Sequence, residues 1–157
     1  MKGITPCLWF DSEGEEAAAF YTTLFPNSTI LSVTRFGPGA PRPAEMVMTV
    51  SFELDGREFL ALNGGPEYKF NEAVSFQVTC EDQEEVDRYW DALSAGGEEG
   101  PCGWLKDRYG VSWQIIPSAL PELLGDPDRE KSQRVMQALL KMKKIEIDVL
   151  ERAVSQT

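Results

Sequence analysis

The stretch AVSFQVTCEDQEEVDRYWDALSA, residues 73–95, decides the fold because it joins a strand pattern directly to a helix pattern. Its first seven residues alternate apolar and other side chains, as a half-buried strand does. The remainder places four apolar side chains at helical spacing: Val86, Tyr89, Trp90 and Leu93. Gly96 and Gly97 then supply a helix stop. This strand-then-helix unit predicts a mixed α+β domain.

The first half of the chain has the same organisation. Residues 4–10, ITPCLWF, predict a strand, and residues 12–24 predict a helix that begins with a capping box formed by Ser12 and Glu15. Further strands are predicted at 29–36, 45–54, 57–62, 103–106 and 112–116. Asp55-Gly56 is a typical hairpin turn. The pattern therefore predicts one element order, β-α-β-β-β, in both halves of the chain.

A helical C-terminal segment follows Pro117. Residues 118–124 predict a short helix, Gly125-Asp126-Pro127-Asp128 a break, and residues 129–153 a longer helix. The longer helix carries an apolar stripe made of Val135, Met136, Leu139, Leu140 and Met142. We expect this stripe to pack on its own domain or on a dimer partner.

Composition excludes several classes of protein. The 157 residues carry a formal net charge of -11, which argues against general nucleic-acid binding. No apolar stretch approaches the roughly 20 residues of a membrane span, and the N-terminus has no signal-like apolar core. Three widely spaced cysteines, Cys7, Cys80 and Cys102, do not form a disulfide pattern, so we expect a cytoplasmic protein.

Histidine is absent from the chain. This excludes Ser-His-Asp and Cys-His catalysis and removes the commonest metal ligand. A nucleophilic Cys102, in a looser context than the strand cysteines, would need another activating group. Carboxylates near predicted strand ends offer acid–base or hard-cation chemistry, with a solvated surface as the alternative: Glu45, Glu53, Glu67, Glu72 and Asp107. Catalytic residues remain unidentified at this level.

Three segments carry a resemblance to a known family: residues 4–28, residues 70–93 and residues 102–117. Together they resemble the PhnB-like branch of the vicinal oxygen chelate superfamily, which includes glyoxalase, bleomycin-resistance and dioxygenase proteins. The most specific run is DRYGVSWQ, residues 107–114. Proteins of this branch are often described as 3-demethylubiquinone-9 3-methyltransferase-like.

The resemblance implies paired βαβββ modules whose curved sheets face one cleft. We expect modules at residues 1–66 and 67–117 and a helical extension at 118–157, forming one compact domain. The metal-ligand positions of the superfamily correspond to Ile4 or Pro6, to Ala73 and to Gln114. At most Gln114 can serve, so the resemblance implies no usual metal site and no confident cofactor, and a divalent metal is disfavoured.

Six residues are candidates for the ligand-binding cleft that the resemblance implies: Gln114, Trp9, Phe52, Asn63, Phe76 and Trp104. The alternatives are ordinary core packing for the aromatic residues, including Trp113, turn chemistry for Asn63 and a satisfied strand amide for Gln114.

Three functions follow in order of preference. The first is binding of a small organic ligand, with little or no catalysis, by a cytoplasmic homodimer. The second is a metal-dependent lyase, isomerase or dioxygenase-type enzyme with an oxygen-rich site. The third is a methyltransferase, although no Gly-rich loop for S-adenosylmethionine is visible in the sequence. Neither nucleic acid nor a membrane is an expected partner.

Overall fold

The computed structural model describes residues 1–156. They form two compact units, Met1–Phe70 and a second unit that begins at Asn71. The division lies after Phe70 rather than after the expected residue 66, and the C-terminal helices belong to the second unit. No helix within residues 1–156 is long and apolar enough to cross a membrane.

The first unit is one sheet with one helix. Its elements are β1 (Cys7–Phe10), α1 (Gly14–Leu24), β2 (Thr29–Arg35), β3 (Val47–Leu54) and β4 (Arg57–Asn63). The strand order is β1-β4-β3-β2, with β1 parallel to β4 and the other pairs antiparallel.

The second unit repeats this arrangement. Its elements are β5 (Ser75–Cys80), α2 (Gln83–Ser94), β6 (Glu98–Glu99), β7 (Trp104–Lys106) and β8 (Ser112–Pro117). The strand order is β5-β8-β7-β6, again with the first and last strands parallel. The predicted α+β class and doubled β-α-β-β-β order are confirmed. The edge strand β6, only two residues long, carries no alternation that predicts it.

The two helices begin in different ways. For α2, the side chain of Asp82 accepts a hydrogen bond from the Glu85 amide at 2.9 Å. The capping box predicted for α1 is wrong, because the helix begins after Glu13 with no side-chain cap from its own end. Instead, Asn63 Oδ1 on β4 accepts from the Gly14 amide at 2.8 Å. A remote strand residue thus satisfies one of the free amides of this helix.

Asn63 leaves no room for a side chain at Gly14. A Cβ at this position would lie 2.7 Å from Asn63 Oδ1, closer than atoms of this type approach. The Asn63 Nδ2 also donates to the Val47 carbonyl at 3.0 Å, and the whole side chain is buried. Asn63 therefore ties α1, β3 and β4 together.

The C-terminal segment contains α3 (Ala119–Leu124), α4 (Arg129–Leu139) and α5 (Ile147–Ser155). The prediction of one continuous helix over 129–153 is wrong, because the chain leaves helical geometry after α4 and contacts the rest of the unit. Carbonyls of Met142 and Lys143 accept from the Cys102 and Gly103 amides at 2.9 and 2.8 Å. These contacts replace the hydrogen bonds that a longer helix would form.

Gln83 at the start of α2 fixes the next residues of this connection. Its side chain donates to the Ile145 carbonyl at 3.0 Å and accepts from the Ile147 amide at 2.8 Å. A side chain from the second module thereby sets the start of α5.

Three residues of the predicted C-terminal stripe, Val135, Leu139 and Met142, pack within this unit. One cluster of buried side chains joins the end of β8 to the three helices: Ile116, Leu120, Val135, Leu139, Met142, Ile145 and Leu150. Met136 and Leu140 instead remain exposed. The buried stripe is therefore narrower than the sequence predicts.

Candidate functional site

Strand alternation separates the second sheet into two faces. On β8, the buried Trp113 and Ile115 flank Gln114, which points to the opposite side. Glu99 pairs with Leu105 and accepts a hydrogen bond from Trp90 of α2, which places that face under the helix. Directly paired residues share a face, so the face away from α2, here called the polar face, carries Ser75, Gln77, Trp104, Lys106, Ser112 and Gln114.

A cavity of about 440 Å³ lies along the β7 end of the polar face. This volume falls in the range of about 300–1,000 Å³ that is usual for small-molecule sites. Its walls combine an apolar part with ionisable and hydroxyl groups, and they include Glu72, Glu98, Pro101, Trp104, Lys106 and Ser112. The cavity therefore combines apolar, charged and hydroxyl groups.

Ser112 is the unusual group in this cavity. The residue is 1 % exposed. Its Oγ has no hydrogen-bond partner within the described residues 1–156. A buried hydroxyl without a partner costs about 1–3 kcal/mol, so native proteins seldom keep one. Ser112 is also one of the residues that line the cavity.

The charged groups of the cavity centre on Lys106. Its Nζ forms an ion pair with the Glu72 carboxylate. Hydrogen bonding to Lys106 lowers the pKa of Glu72, and the same bond, with the nearby charge of Glu98, raises the pKa of Lys106. Both groups therefore stay charged across the physiological pH range.

Gln114 lies on the same face, two residues along β8 from Ser112. Its Nε2 donates to Ser75 Oγ at 2.9 Å, and the side chain is half-buried. The Gln114 Cα is paired with that of Trp104 on β7. Gln114 and Trp104, two of the six predicted site residues, therefore lie side by side.

The other four candidates have visible structural partners. Trp9 Nε1 donates to the Gly65 carbonyl at 2.9 Å. Phe52 is fully buried beside Tyr21, and Asn63 holds α1 as described above. Phe76 lies on the α2 side of its sheet, 5.5 Å from Trp113 between ring centroids. Their predicted contact with a ligand stays a prediction.

Sequence reasoning missed Ser112, Lys106 and Glu98. The signal for Ser112 was present, because a residue two positions from Gln114 on one strand must share its face. The signal for Lys106 required the β7–β8 register, which a sequence alone does not provide.

The most specific part of the family resemblance has a structural role. Asp107 Oδ1 accepts from the Tyr109 and Val111 amides at 2.8 and 3.0 Å, and Oδ2 accepts from Trp113 Nε1 at 2.9 Å. The carboxylate is buried and orders the turn between β7 and β8. It is not available as the acid–base group that the sequence allowed.

The cysteines and the implied metal-ligand positions can be checked directly in the structure. Cys102 Sγ donates to the Leu139 carbonyl at 3.6 Å, and burial raises the pKa of Cys80 to about 12. Within residues 1–156, no group of three or more His, Cys, Asp or Glu side chains is placed to hold a metal ion. Of the positions implied by the superfamily only Gln114 has a donor side chain, so the residues present do not fit a metal centre of that type.

A comparison with known protein families shows which family this chain belongs to. The model of the 3-demethylubiquinone-9 3-methyltransferase family matches residues 2–116. The chain belongs to this family. The matched range ends at β8, so the three C-terminal helices lie beyond the part that defines the family.

One solved structure supports this family assignment, and a second shares the fold. A PhnB protein from Bacillus cereus is 35% identical, with a TM-score of 0.67 over 74% of this chain and 100% of its own. A protein from Pseudomonas aeruginosa has 23% identity and a TM-score of 0.61, over 74% of this chain and 98% of its own.

A more distant similarity extends to an antibiotic-resistance protein. The fosfomycin resistance protein FosX from Listeria monocytogenes, in complex with Mn(II) and sulfate, has 19% identity and a TM-score of 0.54 over 79% of this chain and 98% of its own. This match shows the vicinal oxygen chelate fold. No curated protein matches the chain.

Proposed function

We propose that this family member binds a small organic ligand on the polar face of its second module, with little or no catalysis. The observation that carries the proposal is the buried, unpartnered Ser112 Oγ at a cavity of about 440 Å³. A ligand that supplies a hydrogen bond there offsets the cost of burying the hydroxyl. Trp104 and Gln114 provide an apolar wall and an amide beside it.

Two other functions have less support. A methyltransferase needs a site for S-adenosylmethionine, and the strand-to-helix connections at residues 11–13 and 81–82 contain no glycine. A metal-dependent enzyme needs a set of ligands that the described residues do not bring together. The Mn(II) in the FosX complex belongs to a protein that shares only the fold with this one.

Ser112→Ala tests the proposal because it separates stability from binding. Removing an unpartnered buried hydroxyl is expected to raise the stability of the ligand-free protein by about 1 kcal/mol. The same change removes the hydrogen bond to the ligand. A thermal-shift screen of organic metabolites should therefore give hits whose stabilisation of the native protein is reduced in Ser112→Ala.

Ser51→Ala is the matched control, since Ser51 lies on β3 of the first module and its Oγ already donates to Glu58 at 3.1 Å. It should leave every hit unchanged. Lower stability of ligand-free Ser112→Ala together with full retention of its hits contradicts the proposal. Chelator-treated protein titrated with Mg²⁺, Mn²⁺, Fe²⁺, Ni²⁺ and Zn²⁺ tests the metal alternative, which a saturable rise in midpoint would support.

A cytoplasmic homodimer is part of the same proposal. The three cysteines form no disulfide, which suits a reducing compartment. Strand β2 lies at a sheet edge, and it exposes Ile30, Leu31 and Val33. An exposed apolar edge strand favours pairing with another copy. Light scattering on Leu31→Lys protein should then report a lower mass than for the native protein, and an unchanged mass contradicts pairing through β2.

A further inference from the structure

The turn between β6 and β7 has an unusual backbone conformation. Its two central residues, Cys102 and Gly103, both have positive φ, 57° and 87°. This left-handed region suits glycine, but it costs free energy in a residue that has a Cβ, such as cysteine. The Trp104 amide closes the turn by donating to the Pro101 carbonyl at 3.0 Å. Contacts around the turn must therefore stabilise the strained Cys102.

The C-terminal helices supply contacts of this kind. Residues 140–146, here called the strap, connect α4 to α5. Within the strap, the carbonyls of Met142 and Lys143 accept hydrogen bonds from the Cys102 and Gly103 amides at 2.9 and 2.8 Å. Both amides at the centre of the turn thus have their acceptors in the strap.

Helix α2 fixes the strap and the hairpin together. Gln83 donates to the Ile145 carbonyl at 3.0 Å and accepts from the Ile147 amide at 2.8 Å, and the Ile145 side chain is fully buried. The same helix holds β6 directly, because Trp90 Nε1 donates to the Glu99 carboxylate at 3.0 Å. One helix therefore fixes the first strand of the hairpin through Trp90 and its turn through the strap.

The β6–β7 hairpin forms most of the wall of the cavity on the polar face. Residues 98–106 supply seven of the nine residues that line this cavity, and Trp104, directly after the turn, is one of them. A movement of the turn therefore displaces the cavity wall. The family model ends at residue 116, so the strap lies outside the part that defines the family.

We infer that the strap is a positioning device for this cavity. When it is docked on the turn, it fixes the hairpin and Trp104 in the conformation that binds a ligand, and when it detaches, the wall loosens. Docking of the strap and binding in the cavity are therefore coupled, and each stabilises the other. The binding half of this inference rests on the proposed function, whereas the docking half does not.

Amide hydrogen exchange, followed by NMR on the full chain, measures docking without a ligand. The Cys102 and Gly103 amides are bonded to the strap, so their exchange rates report its detachment. Gln83→Ala removes two hydrogen bonds that fix the strap and should accelerate exchange at both amides about tenfold. The Gly14 amide of the first module should exchange at its native rate. Gln133→Ala, the same replacement at an exposed position of α4, should change none of these rates.

A milder second variant, Ile145→Val, makes the test independent of whether Gln83→Ala folds. It removes the Cδ1 methyl, which lies only 2.8 Å from the position that a Cβ on Gly103 would take. Exchange at the Cys102 and Gly103 amides should become about threefold faster. If neither variant accelerates these two amides relative to Gly14, the strap does not hold the turn and the inference is overturned.

Binding measurements test the coupling. The hits of the metabolite screen should bind about fivefold more weakly to Gln83→Ala than to the native protein, and Gln133→Ala should bind them with native affinity. Faster amide exchange in Gln83→Ala with unchanged affinity for every hit overturns the coupling and leaves the proposed function standing. If no compound binds the native protein, the proposed function and the coupling both fail, and the exchange rates decide the docking alone.

Discussion

The two modules have the same strand order but carry different chemistry on the face away from their helix. In the first sheet, β1 and β4 pair Cys7 with Leu60 and Trp9 with Leu62 on that side. In the second sheet, the corresponding parallel pair places Ser75 beside Ser112 and Gln77 beside Gln114. One topology therefore supports an apolar surface in one module and a polar site in the other, so the side chains rather than the fold decide the function.

The modules also differ in what supports them. Module one fixes its helix through Asn63, a buried amide at the end of β4. Module two caps its helix locally with Asp82 and gains three further helices that pack on Ile116 of β8. Amides on the last strand therefore have opposite roles, since Asn63 maintains the fold and Gln114 lies beside the proposed site.

The largest expected effect comes from breaking the added helices of the second module. Leu139 is 7 % exposed in the helical cluster, whereas its neighbour Leu140 is 64 % exposed. Leu139→Asp buries a carboxylate and should lower the free energy of unfolding by about 4 kcal/mol. Leu140→Asp should change it by less than about 0.5 kcal/mol. Urea unfolding of both variants measures the difference, and equal losses contradict the packing described here.

Replacing the amide side chains of Asn63 and Gln114 should lower the stability by a smaller amount. Asn63→Ala leaves the buried Gly14 amide without its partner and should cost about 2 kcal/mol. Gln114→Ala removes a half-buried hydrogen bond to Ser75 and should cost under about 1 kcal/mol, while weakening the binding of organic ligands. Thermal unfolding and ligand titration of both variants test this contrast. If Gln114→Ala unfolds the protein, Gln114 is a structural residue instead.

The last effect is confined to alkaline pH and concerns the cysteines on the first strand of each module. Burial raises the pKa of Cys80 on β5 from 9.0 to about 12. Below pH 9 the thiol is protonated in both states, so it has no effect. Between pH 9 and about 12 only the unfolded state loses the proton, and stability falls with rising pH by up to about 1.4 kcal/mol per unit.

Cys80→Ala should remove this contribution from the alkaline slope of the unfolding free energy. Cys7→Ala is the control, because Cys7 on β1 is exposed and a smaller contribution from it is expected. Equal alkaline slopes for native protein and Cys80→Ala would show that Cys80 titrates alike in both states.

Much of this fold was predictable from periodicity. The helical spacing from Val86 to Leu93 and the alternation of Phe76, Gln77 and Val78 on β5 appear in the structure, whereas Val74 lies before β5 and is exposed. The break between α4 and α5 was not predictable, because it is formed by Cys102, Gly103 and Gln83, which are distant in sequence. Tertiary hydrogen bonds there override a locally helical pattern.

The candidate site, like the fold, was only partly predictable from the sequence. Alternation alone places Gln114 opposite in face to Trp113. Placing Trp104 and Lys106 beside it requires the register of β7 with β8. Asn63 was predicted as a ligand contact because it ends a strand at a point where, in the family it resembles, the loop often borders the cleft. Only the structure shows that both ends of its amide are already used by Gly14 and Val47.

The four tryptophans offer the most direct test of the central claim, that the polar face of the second module is the ligand site. The indole N–H groups of Trp9, Trp90 and Trp113 are bonded to Gly65, Glu99 and Asp107, while Trp104 lines the cavity. Titrating ¹⁵N-labelled protein with the hits of the metabolite screen, with indole signals assigned by Trp→Phe variants, follows all four at once. The account predicts that the Trp104 signal moves and saturates while the Trp9 signal stays in place; movement of Trp9 with an unchanged Trp104 would contradict it.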